Sequence, residues 1–466
     1  MNAEIKCVIK KIELSVKQGK LSENEEQLRF LKDELMMAVV SNSLKKIDQS
    51  LKGKMKAENH TLKDKRKRSM TTTFGVINYS RYYYIKDGKR CFPLDDHLGF
   101  KPRERFTKAF RNQTVSIIGD TTYRRESDIV SKLTGSDINP TTIRENVLEF
   151  SKEARDYQEY LDIATAPKPK QVKRLYIEGD GVSVKGRAQY RKKGWKIELH
   201  RYQLHEGVRK ISKNRYELIN PVFFFDTDRL AAYQRLSEYV YRNYKLKDTI
   251  IITNSDGGAG YTYDDFKDIA QSAKHHEHFI DRYHVRLKIE TRMRFFSDLI
   301  PLMRKAWYSY DCEAVRVVLD TAESMAVEDE EISEIEALRA YIDRNWAYMK
   351  PAYMREHVKN GHGIGTCESN HRAYTYRMKH RGMSWRKDGA MAVALVIESK
   401  RNQTFDIIVG GKWRAELESK RRELKRYKMR NTVNHAHQAH VGVYQGVIKT
   451  GAVSSPIGKL NKHLNG

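Results

Sequence analysis

The chain has 466 residues, room for two to four domains, and its 87 Lys and Arg against 60 Asp and Glu leave a net charge of +27, which selects a polyanion as partner. No apolar run approaches the length of a membrane span and no secretory h-region is present, so the expectation is a soluble, cytoplasmic, nucleoid-associated protein with no membrane partner. Four distant cysteines (Cys7, Cys91, Cys312 and Cys367), with no Cys-x-x-Cys pair, argue against a cysteine zinc finger and a disulfide framework.

Residues 1–69 read as a helical segment followed by a basic linker. Leu28, Leu31, Leu35 and Val39 recur at three- and four-residue spacing, the stripe of an amphipathic helix, and Lys63-Asp-Lys-Arg-Lys-Arg68 follows as a solvated run. Residues 70–165 read as a DNA-binding region. Phe74 to Ile85 followed by Asp87-Gly88 predicts a β-hairpin, with tyrosines flanking Arg81. Consecutive helices then fill 104–158. One ends at Gly135, and Asn139-Pro140 opens the next with an N-cap and a first-turn proline. Two helices across a short turn predict a helix-turn-helix, which would offer Thr141, Thr142 and Arg144 to a DNA groove.

Ala166-Pro-Lys-Pro-Lys170 marks a boundary. From 171 to 285 the pattern becomes α/β: strands near 173–184, 194–204 and 216–226, a helix near 229–244, a strand at 249–254, a helix near 262–272 and a strand at 277–283. Residues 286–361 are patterned as an all-α insertion and include an acidic patch from Glu323 to Glu336. Residues 362–410 return to the α/β domain, and 411–466 form a basic helix and tail. Strands first, then alternating helices and strands, predict a ribonuclease-H-like sheet.

Three acids stand in telling places. Asp180 lies in the strand-like Leu175-Tyr-Ile-Glu-Gly-Asp-Gly181. Asp256 follows the apolar run Ile250-Ile-Ile252 and precedes Gly257-Gly258. Glu368 opens a helix in Gly365-Thr-Cys-Glu-Ser-Asn-His371. Sites in open α/β sheets gather at strand ends. There, three carboxylates can hold two Mg²⁺ or Mn²⁺ ions against a phosphodiester. Arg372 and Lys379, four and eleven residues past Glu368, are expected on the same helix face as phosphate-binding cations. Glu178 shares a strand face with Asp180 and reads as an ion-paired acid or an auxiliary ligand. Cys367 reads as a small buried residue. His275, His276 and His278 are weighed as a zinc site and set aside, because alternation along one strand spoils the ligand orientation. His435, His437 and His440 read as part of a solvated tail.

Tyr176-Ile-Glu-Gly-Asp-Gly181, Asn254-Ser-Asp-Gly-Gly258, Asp281-Arg-Tyr-His284 and Glu368-Ser-Asn-His371 through Trp385 resemble the DDE-type insertion-sequence transposases of bacteria, most closely the ISLre-type family. The resemblance spans the hairpin to about residue 400. It implies Asp180, Asp256 and Glu368 as catalytic metal ligands and Asp281 and His284 as supporting residues. It also implies double-stranded DNA partners (element ends bearing terminal inverted repeats, and target) and at least a homodimer on DNA. The expected activity is metal-dependent cleavage and strand transfer. The alternatives are a ribonuclease-H-like nuclease and a non-catalytic DNA-binding protein derived from a transposase.

Overall fold

Five strands form the centre of the computed structural model, which describes the chain except residues 1–2, 18–20, 135, 166, 188–194, 214, 259, 359–361 and 439–466. The chain divides into two compact units. The first comprises Met1–Gln158 and Thr165–Gly410, so the N-terminal region belongs with the sheet; the second comprises Glu159–Ala164 and the chain from Gly411 onward.

The central strands are β1 (Arg174–Lys185), β2 (Lys196–His205), β3 (Val222–Asp226), β4 (Ile250–Ser255) and β5 (His275–Ile280). Their spatial order is β5-β4-β1-β2-β3. β1, β4 and β5 run parallel, and β2 is antiparallel to both β1 and β3. Side chains alternate across the pleat. Leu175, Ile177, Tyr202, Leu204, Phe224 and Ile251 point to one face, covered by α1 (Arg229–Asn243) and α2 (Tyr263–Ala270). The opposite face carries Tyr176, Glu178, Asp180, Arg201 and Gln203. It meets α4 (Cys367–Met378) and α5 (Lys387–Arg401), which follow α3 (Arg282–Arg292) in the chain. α5 is buried along nearly its whole length.

Two strand expectations need adjustment. The run expected as one strand over 216–226 is broken at Asn220-Pro221. Its first part, Arg215–Leu218, pairs with Val208–Ser212 in a separate hairpin. Asn220 has φ 48°, and proline cannot donate to a ladder, so the strand must restart at Val222. The last strand stops at Ile280, because Asp281 caps α3: its carboxylate accepts the N–H groups of Tyr283 and His284.

The segment after α3 is helical. Ile300–Tyr308, Cys312–Met325 and Asp329–Asn345 pack with α3 around Met303, Leu319, Ile335 and Leu338. Its acidic patch is answered by Arg292, Arg294 and Arg339.

The N-terminal region departs more. Helices Ala3–Lys17 and Leu21–Ala57 are present. Of the expected stripe Leu31 is buried and Val39 is exposed, the core face drifting to Ala38, Leu44 and Met55. The expected linker is a strand: Thr61–Thr72 pairs with Gly75–Lys86, which continues through Asp87-Gly88 to Lys89–Cys91. Both turn residues have positive φ, 49° and 73°, as a two-residue hairpin with this twist requires. The reason for the mismatch is that Lys63 to Lys67 are all exposed, and an edge strand tolerates a charged run that a central strand would not. Arg81, between the tyrosines, is buried and donates to Asp95, alongside Arg68.

Helices Lys108–Ile117, Tyr123–Thr134 and Pro140–Ile163 follow. Asn139 Oδ1 accepts from Thr141 N at 2.8 Å, the cap the sequence announces; Gly135 lies outside the described residues. In the second unit, helix Arg414–Gln438 is tied to Glu159 by Arg421 and to Tyr160 by Glu416. The tail histidines fall on residues whose side chains are not described. No helix among the described residues is long and apolar enough to cross a membrane.

Candidate metal centre

Glu178 and Asp180, two apart on β1, face α4 together, and they do different things. Glu178 is buried. One carboxylate oxygen accepts Cys367 N at 2.6 Å and the other accepts the Thr366 hydroxyl at 2.8 Å. A carboxylate against the first N–H groups of a helix satisfies otherwise unpaired donors and complements the helix dipole. On the neighbouring strand Arg201 donates to Cys367 O at 3.0 Å, and Gln203 donates to the Thr366 hydroxyl at 2.7 Å. Among the described residues Glu178 makes no ion pair with Lys or Arg; it anchors the start of α4. Gly365, at φ 75°, brings that start in, and a Cβ there would stand 3.0 Å from Asp281 Oδ2.

With α4 fixed, Glu368 reaches the edge of β1. One donor atom each from Asp180, Glu368 and His284 lie within 4.8 Å of one another. His284 Nε2 is 3.9 Å from Glu368 Oε2. Asp180 Oδ1 accepts Gly181 N at 2.6 Å, and Oδ2 lies 2.8 Å from His371 Nε2. Burial pushes the Asp180 carboxyl up, but the hydrogen bond and charge of His371, the Gly181 N–H and His284 outweigh it, so it sits below the ordinary carboxylate value. Asp281, buried and capping α3, is held above the ordinary value by burial.

Asp256 is not in this cluster. It follows β4 by one residue, and Gly257 (φ 73°) turns the chain. Its Oδ1 accepts Gly258 N at 2.8 Å, and its carbonyl accepts the Tyr341 hydroxyl at 3.4 Å. The spacing argument for Lys379 also stops short: α4 ends at Met378 and Lys379 is its cap residue. Arg372 is exposed on α4. Arg144 is engaged by Asp388 at 3.1 Å, with Thr141 exposed beside it and Thr142 half-buried.

Sequence reasoning gives two donors too little weight. His284, expected only as a support, stands among the donors. His371 is not among the expected site residues at all, although Glu368-Ser-Asn-His371 is an i, i+3 pair that shares a helix face. His276 and His278, weighed with His275 as a zinc site, share a different partner. Both bond to the Thr253 hydroxyl, at 2.8 and 2.7 Å.

A family model described as "Uncharacterised protein family (UPF0236)" matches residues 16–416. The chain belongs to the UPF0236 family. Its relatives include a UPF0236 protein in the vanSb 3′ region of Streptococcus gallolyticus, 31% identical over 95% of this chain and 96% of that one. A UPF0236 protein of Caldanaerobacter subterraneus subsp. tengcongensis is 23% identical over 79% of this chain and 71% of its own. Among solved structures, the Drosophila P element transposase strand transfer complex aligns with 66% of this chain and 80% of its own. The identity is 10% and the TM-score 0.24, too low to bear on the fold.

Proposed function

We propose that this UPF0236 protein is a DDE-type transposase that cuts the ends of a DNA element and joins them to target DNA, with Asp180 and Glu368 at its catalytic centre. The observation that carries this reading is the meeting of Asp180 and Glu368, 188 residues apart in sequence, where the central strand of a mixed five-stranded sheet faces α4. The strand order, with only the second strand reversed, supports a ribonuclease-H-like domain. The net charge of +27 supports a DNA substrate. One Caldanaerobacter relative, 23% identical over 79% of this chain, bears a name that joins eleven locus designations. One sequence standing at many loci is what repeated copying of a DNA element leaves behind.

The donors fit one divalent cation. Donor atoms around an ion with bonds of about 2.1 Å stand about 3–4 Å apart, and the 3.9 Å between His284 and Glu368 falls in that range. The two carboxylates suit Mn²⁺ or Mg²⁺, and an imidazole beside them favours Mn²⁺ over Mg²⁺. Such an ion, when bound, supplies charge neutralisation and a more acidic water at a phosphodiester. The chain's own part is to hold the carboxylates in place through Glu178, Arg201 and Gln203. A second ion would need Asp256. It lies two residues past Asn254 as Asp180 lies two past Glu178, its paired neighbour. Lys63, Lys65, Arg66 and Lys67 on the exposed edge strand supply a phosphate-binding surface, and Thr141, Thr142 and Arg372 are the further contacts proposed. Assembly on two ends would require at least a dimer.

Strand transfer with purified protein, DNA carrying the element's ends, and Mg²⁺ or Mn²⁺ tests the proposal. Wild type should nick the ends and join them. Asp180→Asn, Glu368→Gln and Asp256→Ala should bind end DNA but neither cut nor join. Joining retained in Asp180→Asn or Glu368→Gln would remove the centre from the mechanism.

A further inference from the structure

Asp180 has a second set of neighbours that the catalytic reading leaves unused. Cys367 Sγ, His371 Nε2 and an Asp180 carboxylate oxygen lie within 4.8 Å of one another. His371 Nε2 is 3.9 Å from Cys367 Sγ and 2.8 Å from Asp180 Oδ2. Cys367 and His371 are four residues apart on α4 and so project from one face. Both are buried, and the backbone carrying them is locked by Glu178 and Arg201. The set is therefore built before any ligand arrives.

A tetrahedral zinc site has bonds of about 2.3 Å to sulfur and about 2.1 Å to nitrogen or oxygen, which places S···N about 3.6 Å and N···O about 3.4 Å apart. To reach this the sulfur–imidazole contact closes by about 0.3 Å and the imidazole–carboxylate contact opens by about 0.6 Å. Small side-chain rotations cover both. Sulfur also decides the chemistry: a thiolate favours zinc-class cations, and Mg²⁺ takes oxygen.

We propose that Asp180, Cys367 and His371 form a binding site for a soft divalent cation of the zinc class, which competes with the catalytic cation for Asp180. As the metal enters, the Cys367 S–H bond breaks, the proton leaves to solvent, and the sulfur lone pair forms the bond to the metal; no electrons change hands. Binding stands on geometry alone. The inhibitory consequence rests on the transposase reading.

Cobalt(II), the spectroscopic stand-in for zinc, tests binding in the full-length protein without any appeal to activity. One equivalent should produce a thiolate-to-cobalt charge-transfer absorption that zinc abolishes and a large excess of Mg²⁺ leaves intact. The band should vanish in Cys367→Ser, which retains Cys7, Cys91 and Cys312. His371→Gln, which keeps the thiol, should bind zinc at least tenfold more weakly and covers the case in which Cys367→Ser does not fold. A folded wild type without the band, or a band that persists in Cys367→Ser, overturns the site. In the strand-transfer assay, zinc equimolar with the protein should suppress Mg²⁺-supported cutting, and a chelator selective for zinc should restore it. Cutting indifferent to zinc overturns the competition. Absence of cutting under every condition counts against the transposase reading, while the cobalt result still decides the site.

Discussion

Glu126 is fully buried on helix Tyr123–Thr134, and neither carboxylate oxygen has a hydrogen-bond partner. The nearest opposing charge is Arg377 of α4, itself buried, whose Nε donates to Ile118 O at 2.9 Å. Burial pushes the Glu126 carboxyl up from 4.5 to about 8, with Arg377 only partly opposing. The folded state therefore holds a proton that the unfolded chain releases above about pH 4.5. Stability is fully present below that value and drains away as pH rises toward about 8. A shift of between three and four units corresponds to roughly 5 kcal/mol at alkaline pH, taken as an upper bound because a charged carboxylate would draw Arg377 or water toward it. Glu126→Gln replaces the protonated acid by its isostere and removes the titration. Urea unfolding from pH 5 to 9 should show wild type losing several kcal/mol that the variant retains, with the two similar near pH 5. Parallel pH profiles would refute the reasoning, whatever the absolute stabilities, because a simple packing change carries no proton.

At the other end of the pH scale, burial holds His276 down near about 4 and His278 near about 3, neighbouring imidazoles adding to the effect. The unfolded chain takes up protons first as pH falls below 6.5, so stability should decline from there toward pH 4 by about 1.4 kcal/mol per pH unit for each histidine. His276→Gln should remove one proton's worth of that slope in urea unfolding, and an unchanged slope would show that these imidazoles are not what the acid limb reports. Glu178→Gln should destabilise by about 2 kcal/mol, since it removes the charge-assisted bonds to Cys367 N and Thr366. It should also reduce end cleavage far more than end binding; a variant that cuts at the wild-type rate would mean α4 is held by other contacts. Replacing Lys63, Lys65, Arg66 and Lys67 with Gln should flatten the dependence of DNA affinity on salt, by about 0.9 in log–log slope for each phosphate no longer neutralised. An unchanged slope would move the DNA surface elsewhere.

The sheet is legible in the sequence because its signals are local and strong. Ile250-Ile-Ile252 ending in glycines, and the apolar run Leu175-Tyr-Ile177, mark strands whatever surrounds them. The helical insertion declares itself by period alone. What escapes is set by partners distant in the chain. The charged run Lys63–Lys67 forms a strand because Gly75–Lys86 pairs with it, and no residue within the run says so. Arg81 is hidden for a similar reason, as its partner Asp95 lies beyond a turn. In the site, a carboxylate's identity is visible but its direction is not. Glu178 and Asp180 have the same alternation and the same charge, yet one meets a helix N–H and a hydroxyl and the other meets imidazoles. His371 is masked by the acids around it, although its spacing from Glu368 is in plain view.

Under the proposed function, the Glu178 clamp also bears on how the chain can be controlled. The clamp and the two carboxylates proposed to bind metal are one residue apart on α4 and two apart on β1, so neither can shift without dragging the other. Sliding α4 to disarm the centre would tear a carboxylate from buried donors, a step too costly to serve as an everyday brake. Restraint on the proposed activity would therefore act through what is delivered to a pre-set centre, whether a cation or a second DNA end.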